Sequence, residues 1–224
     1  MGLSCKRNRK FYKDKSIKLK KMRADKEKIY NLFNNQKFDQ VEKLLEKIDF
    51  KNNTDIDYFF LYGIILAKKG KYEEAIYYFQ KTLKFNKNNY DSNFNLGGCY
   101  QGLFDFNMAI HHYSICTKLE PKSFQPYFQL GICYKQMREY EKSIFNLDIA
   151  KNLEKNSKIF IALGNVYREI GNFDEALDYY KKAISINKEP FDAQLLVANL
   201  EIDKGNLEIA SLILNELNSN GKLN

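Results

Sequence analysis

Residues 163–183 read LGNVYREIGNFDEALDYYKKA. Before Gly171, small and apolar side chains stand at Leu163, Gly164 and Tyr167; after it they stand at Phe173, Ala176, Tyr180 and Ala183. Spacings of three and four place each set on one face of a helix. A glycine between them suits the left-handed residue that closes a helix C-terminus. The stretch therefore reads as a helix, a tight turn and a second amphipathic helix.

Working outward, the pattern returns. Leu96-Gly97 and Leu130-Gly131 repeat Leu163-Gly164, and Tyr62-Gly63 precedes them. Three residues after each glycine comes Leu66, Tyr100, Tyr134 or Tyr167. Further on, Ala75, Ala109, Ser143 and Ala176 recur, followed by Phe79, Tyr113, Leu147 and Tyr180. The period is about 34 residues, with one residue fewer after the fourth unit. No single unit can bury its apolar face alone, so the units must stack.

This series resembles the tetratricopeptide repeat (TPR) family. The resemblance implies an all-α fold, a right-handed α-α superhelix or solenoid of about six helix pairs. Its units span 22–55, 56–89, 90–123, 124–156, 157–190 and 191–218, between a basic tail at 1–21 and a short C-terminal tail at 219–224. The first unit, with Ile29, Leu32, Phe38, Val41, Leu45 and Ile48, lacks the glycines, and the last is also degenerate. Divergent terminal units are expected of capping repeats, whose outer faces meet water. Gln36, Phe104 and Arg138 stand where the family prefers Gly between the two helices. If left-handed, each costs on the order of 1 kcal/mol, which should loosen those turns.

Composition agrees with long helices: only three prolines occur in 224 residues. No apolar run approaches the roughly 18 residues of a membrane-spanning helix. The N-terminus has no apolar stretch behind its charges, so a secretory signal is not expected. Four cysteines (Cys5, Cys99, Cys116, Cys133) form no CxxC pair and read as reduced thiols of a cytoplasmic protein. Residues 1–23 hold ten Lys or Arg against Asp14 alone, so the formal charge of +8 resides in the tail and the remainder is near neutral.

The resemblance implies that the first helix of each unit lines the concave face. Two inward rows follow. One is apolar, with Phe60, Phe94, Phe128, Ile161 and Leu195; the other is amide-rich, with Asn95, Gln129, Asn165 and Asn199. Lys135 and Arg168 sit beside them, with Gln136 and Glu169. Amides can donate to and accept from a peptide backbone without reading its sequence. Aromatic rings add large apolar area at low entropic cost. The combination suits a peptide segment held in a groove. Chaperone-binding members of the family use a Lys and Asn clamp for a terminal carboxylate. The matching places here hold Phe60, Ile64, Asn95, Gln125 and Gln129, so the resemblance does not extend to that clamp.

Catalysis has no visible home. His111 and His112 are the only histidines, and helical neighbours point about 100° apart, unlike a chelating i, i+4 pair. No phosphate-binding glycine loop or nucleophile motif occurs. No cofactor or metal is expected, and the chain reads as a non-enzymatic scaffold or adaptor for a protein or peptide partner.

The alternative reading is a recruitment factor tethered to membrane or RNA by its tail. Gly2 and Cys5, followed by Lys6, Arg7, Arg9 and Lys10, are similar to a dual-lipidation signal. Lys6, however, stands where myristoylation wants Ser or Thr. The same basic run could bind an anionic leaflet or RNA by charge.

Overall fold

The computed structural model describes residues 25–48, 55–186 and 191–219. Twelve helices and no strands lie among them. They are α1 (25–34), α2 (Phe38–Leu45), α3 (Ile56–Lys68), α4 (Tyr72–Phe85), α5 (Tyr90–Gly102), α6 (Phe106–Leu119), α7 (Phe124–Gln136), α8 (Tyr140–Leu153), α9 (Ser157–Glu169), α10 (Phe173–Ile186), α11 (Phe191–Asp203) and α12 (Leu207–Ser219). They form six successive pairs. The chain divides into two compact units, Met1–Lys81 and Thr82–Asn224, with the boundary inside α4.

Within a pair, the contact is made by one glycine and one large side chain sixteen residues later. A Cβ on Gly63 would lie 2.8 Å from the Phe79 ring; on Gly97, 2.6 Å from Tyr113; on Gly131, 2.5 Å from Leu147; and on Gly164, 2.4 Å from Tyr180. Those four large side chains are all fully buried. In the pair α7/α8 the alanine seen elsewhere is replaced by Ser143, and its buried hydroxyl donates to the Gly131 carbonyl at 2.7 Å. The polar atom is satisfied locally, so its burial carries no desolvation penalty.

In the unit Thr82–Asn224, each second helix also packs on the next first helix: α6 on α7, α8 on α9 and α10 on α11. Leu147, Ala150, Ile159, Ala162, Leu163 and Val166 form one such cluster across α8 and α9. Ala176 and Tyr180 of α10 meet Leu200 of α11 in another. In the unit Met1–Lys81, Ile29, Val41, Leu45, Tyr58, Leu61 and Ile65 make a separate core. Lys26 clasps this unit by ion pairs to Asp55 (2.8 Å) and Asp57 (2.6 Å).

All six turns inside the pairs use one geometry. The closing residue is left-handed in every case: Gly70, Gly171 and Gly205 at φ 74°, 84° and 81°, and Gln36, Phe104 and Arg138 at 57°, 61° and 59°. Around Phe104, the Asp105 N–H donates to the Tyr100 carbonyl (2.9 Å) and the Phe104 N–H to that of Gln101 (3.0 Å). Around Gly171 the matching bonds are 2.9 Å and 3.1 Å. This is the Schellman closure, and it is as tight with Phe as with Gly. The expected loosening is absent because two backbone bonds hold the turn, and the strain of a non-glycine residue is absorbed there.

Candidate interaction surface on the first helices

The first helices of successive pairs lie side by side within the unit Thr82–Asn224. Lys135 of α7 makes an ion pair with Glu169 of α9 at 2.8 Å, and Arg168 of α9 pairs through Nε with Asp203 of α11. The repeat register explains this arrangement. Lys135 and Arg168 occupy one repeat position, and Glu169 and Asp203 occupy the next position one unit later. Each cation therefore reaches the carboxylate of the following pair.

These residues surround a recess of about 470 Å³, lined by Lys135, Asn165, Arg168, Glu169, Phe173 and Asp203. Tyr180 donates its hydroxyl to Asn165 Oδ1 at 2.7 Å. The Asn165 carbonyl oxygen is thereby engaged, and the NH₂ group remains to serve a ligand. Burial pushes the Tyr180 phenol up to about 12, so it stays a donor at physiological pH. The recess holds two cations and two anions, each answered by its neighbour. Such partly solvated pairs contribute on the order of 1 kcal/mol each, so a ligand that offers better partners can displace them.

Three of the residues expected from the sequence, Lys135, Asn165 and Arg168, are brought together here. The apolar row is positioned differently from a set of open ligand contacts. Phe94 lies edge-on to Tyr113 at 5.4 Å and stacks on Tyr90 at 6.0 Å. Phe128 packs on the cluster around Leu147 and Leu163, and Ile161 on that around Ala183 and Ala193. In the other unit, Phe60 meets Phe79 edge-on at 5.8 Å. All four are half-buried, with much of their area spent between helices. Gln129, Leu195 and Asn199 are also half-buried on their first helices. Asn95 donates to the Asp91 carbonyl of its own helix at 2.7 Å. Gly2, Cys5, Lys6, Arg7, Arg9 and Lys10 of the tail lie outside the described residues.

Asp203 and Phe173 join the recess without having been expected from the sequence. Asp203 is detectable in principle: reading two adjacent positions down the repeats yields Lys135-Gln136, Arg168-Glu169 and Ile202-Asp203. Phe173 is not, because a repeat's first residue of the second helix reads as core.

The two histidines separate in role. His111 is exposed, whereas His112 is buried and stacks on Tyr100 at 5.5 Å. The Asn93 amide donates to the Asn89 carbonyl at 2.9 Å, so its Oδ1 faces His112 Nδ1 at 3.0 Å and that nitrogen carries the hydrogen. Burial, with His111 beside it, pushes the imidazole down from 6.5 to about 4. The unfolded chain takes up this proton below about pH 6.5 and the folded chain only near pH 4. Stability is therefore full above 6.5 and falls as the pH drops through that window. Between pH 7 and pH 5 denaturant melts should show a loss of about 2 kcal/mol from this group, and His112→Gln should remove that increment. An equal pH dependence in the variant would refute the assignment.

Cys99, Cys116 and Cys133 are buried, and burial pushes each thiol up to about 12, which leaves them protonated and unreactive. Among the described residues, no group of three or more His, Cys, Asp or Glu is placed to hold a metal ion.

Helix pairs stacked through a glycine-and-knob contact, with first helices presented side by side, define an all-α solenoid. Comparison with known proteins agrees. The sequence pattern of the tetratricopeptide repeat matches residues 157–190, and that of subunit 3 of the anaphase-promoting complex, or cyclosome, matches 68–150. No curated protein sequence matches the chain. Among solved structures, TTC0263, a TPR protein of Thermus thermophilus, is 19% identical over 80% of this chain and 98% of that one, with a TM-score of 0.63. A MamA protein shares 26% identity over 75% of this chain and 92% of its own, with a TM-score of 0.65. MamA from Desulfovibrio magneticus RS-1 gives 19%, 73% and 93%, with a TM-score of 0.68. The chain belongs to the tetratricopeptide repeat family. Proteins of this family are in general non-catalytic scaffolds that bind other proteins.

Proposed function

We propose that this chain is a non-catalytic, cytoplasmic adaptor that binds a peptide segment across α7, α9 and α11. The observation that carries the reading is the recess where Lys135, Asn165, Arg168, Glu169 and Asp203 converge from three successive first helices. The Asn165 NH₂ group serves a peptide carbonyl, and the half-buried Phe173 ring in the same recess supplies apolar contact. Because each cation is backed by a carboxylate, an isolated anion gains little. A segment carrying both an acidic and a basic side chain can replace both partners of a pair at once.

A displayed library of random peptides, selected on the full chain, tests this. Selected peptides should carry both charge signs. They should also lose roughly tenfold or more in affinity when Lys135→Glu and Arg168→Glu are combined, a difference of about 1.4 kcal/mol. The reversals also set carboxylates against Glu169 and Asp203, so the variant's helicity and melt are measured beside its affinity. The conservative Lys135→Gln/Arg168→Gln variant creates no like-charge pair and should weaken the same peptides while leaving the fold intact. Peptides that bind this variant as tightly as wild type would refute the site.

A further inference from the structure

The last pair treats two of its faces differently. On α10, Leu177 and Ile184 pack towards α11, in the clusters of Leu200 and Ala193. One repeat later, α12 carries the exposed polar residues Ser211 and Asn218 at those places. This stacking face is therefore polar on α12 where it is apolar on α10, although Leu207 is 65% exposed at its edge. The outer face shows the opposite change. Where α10 has exposed Glu175 and Asp178, α12 has Ile209 and Leu212, which are 49% and 70% exposed. Half-buried Ile213 extends this strip. Glu208 and Glu216 flank it, and neither has a cationic partner among the described residues. Residues 191–219 hold five acidic side chains against Lys204 alone.

An apolar strip between unpaired carboxylates fits a basic segment with apolar side chains. One such segment belongs to this chain: residues 1–23, with ten Lys or Arg against one Asp, and Phe11, Tyr12, Ile17, Leu19 and Met22 interspersed. We propose that the outer face of α12 is a docking site for the basic N-terminal segment of a second copy of the chain. The apolar pair supplies burial, and the charges supply orientation and salt dependence. Each copy carries one donor segment and one acceptor face, so the association is head-to-tail and open.

Sedimentation equilibrium of the full chain at low ionic strength tests the proposal. Wild type should reach masses beyond a dimer as concentration rises, and added salt should reverse this. Leu212→Glu should weaken association at least tenfold, without loss of helicity because the side chain is exposed. Lys6→Gln, Arg7→Gln, Arg9→Gln and Lys10→Gln together should do the same. Mixing these two defective proteins should restore association but halt it at a dimer, since only one intact donor and one intact acceptor remain. Association that is lost in Leu212→Glu yet kept in the tail variant means that α12 pairs with α12, and overturns the proposal. So does a wild type that stays monomeric, or association that survives Leu212→Glu.

Discussion

Gly97→Ala should destabilise the protein by about 2 to 3 kcal/mol, while Gly98→Ala should stabilise it by about 0.5 to 1 kcal/mol. Both glycines lie inside α5, and alanine is the better helix former at either place. The sign is decided by what the new methyl group meets. At Gly97 it would lie 2.6 Å from Tyr113 Cε1 and 2.8 Å from Cδ1. Tyr113 is 1% exposed and its hydroxyl is tied to Gln101 at 3.0 Å, so the ring cannot swing aside. The helices would have to separate, and a close-packed interior resists that. At Gly98 the nearest atom is the Tyr113 hydroxyl oxygen at 3.7 Å, an ordinary contact. Urea unfolding of the two variants against wild type gives the answer, and a loss of stability at both positions would refute the close-approach account.

Truncation of the knob should cost more than enlargement of its socket. Tyr180→Ala is expected to lose about 3 to 5 kcal/mol, because it opens a cavity between α9, α10 and α11. Tyr180 is 0% exposed and packs with Ala176 and Leu200, so the surrounding helices have little freedom to collapse. Tyr180→Phe keeps the volume and removes the hydroxyl's bonds to Asn165 Oδ1 and to the Arg168 guanidinium, which should cost about 1 to 2 kcal/mol. The two substitutions also report on different properties. Tyr180→Phe frees the Asn165 carbonyl and should alter peptide selection at the recess, whereas Tyr180→Ala should melt the last two pairs before the others. Amide hydrogen exchange across 157–219 distinguishes these outcomes. Equal protection in wild type and Tyr180→Ala would show that the contact is not the brace described here.

The repeat is legible because its period reflects a packing rule that each unit must satisfy by itself. Leu163-Gly164 with Tyr180, and Leu96-Gly97 with Tyr113, recur because a knob needs a socket in every pair. The left-handed turns are legible for the same reason, even at Phe104 and Arg138, since register places them where glycine stands elsewhere. The site is legible only in part. Lys135, Asn165 and Arg168 emerge from the repeat, and Asp203 only when adjacent positions are read together, whereas Phe173 does not. Phe94 reads as open groove although its ring packs on Tyr113. Helical periodicity gives the face a residue occupies; it does not give the fraction of that face a neighbouring helix covers.

The amino-acid sequence by itself determined that this chain forms stacked helix pairs, where each pair turns, and that its charge is concentrated in the first 23 residues. Spacing within a unit carries that information, because hydrogen bonding and the burial of one helix face are local constraints. Only the tertiary structure decided which of two adjacent glycines tolerates a methyl group, that Lys135 and Arg168 are each answered by a carboxylate one pair further on, and that the outer face of α12 is apolar and uncovered. Those properties depend on distances between residues tens of positions apart, which are set by how side chains interlock and not by the period that brings them near.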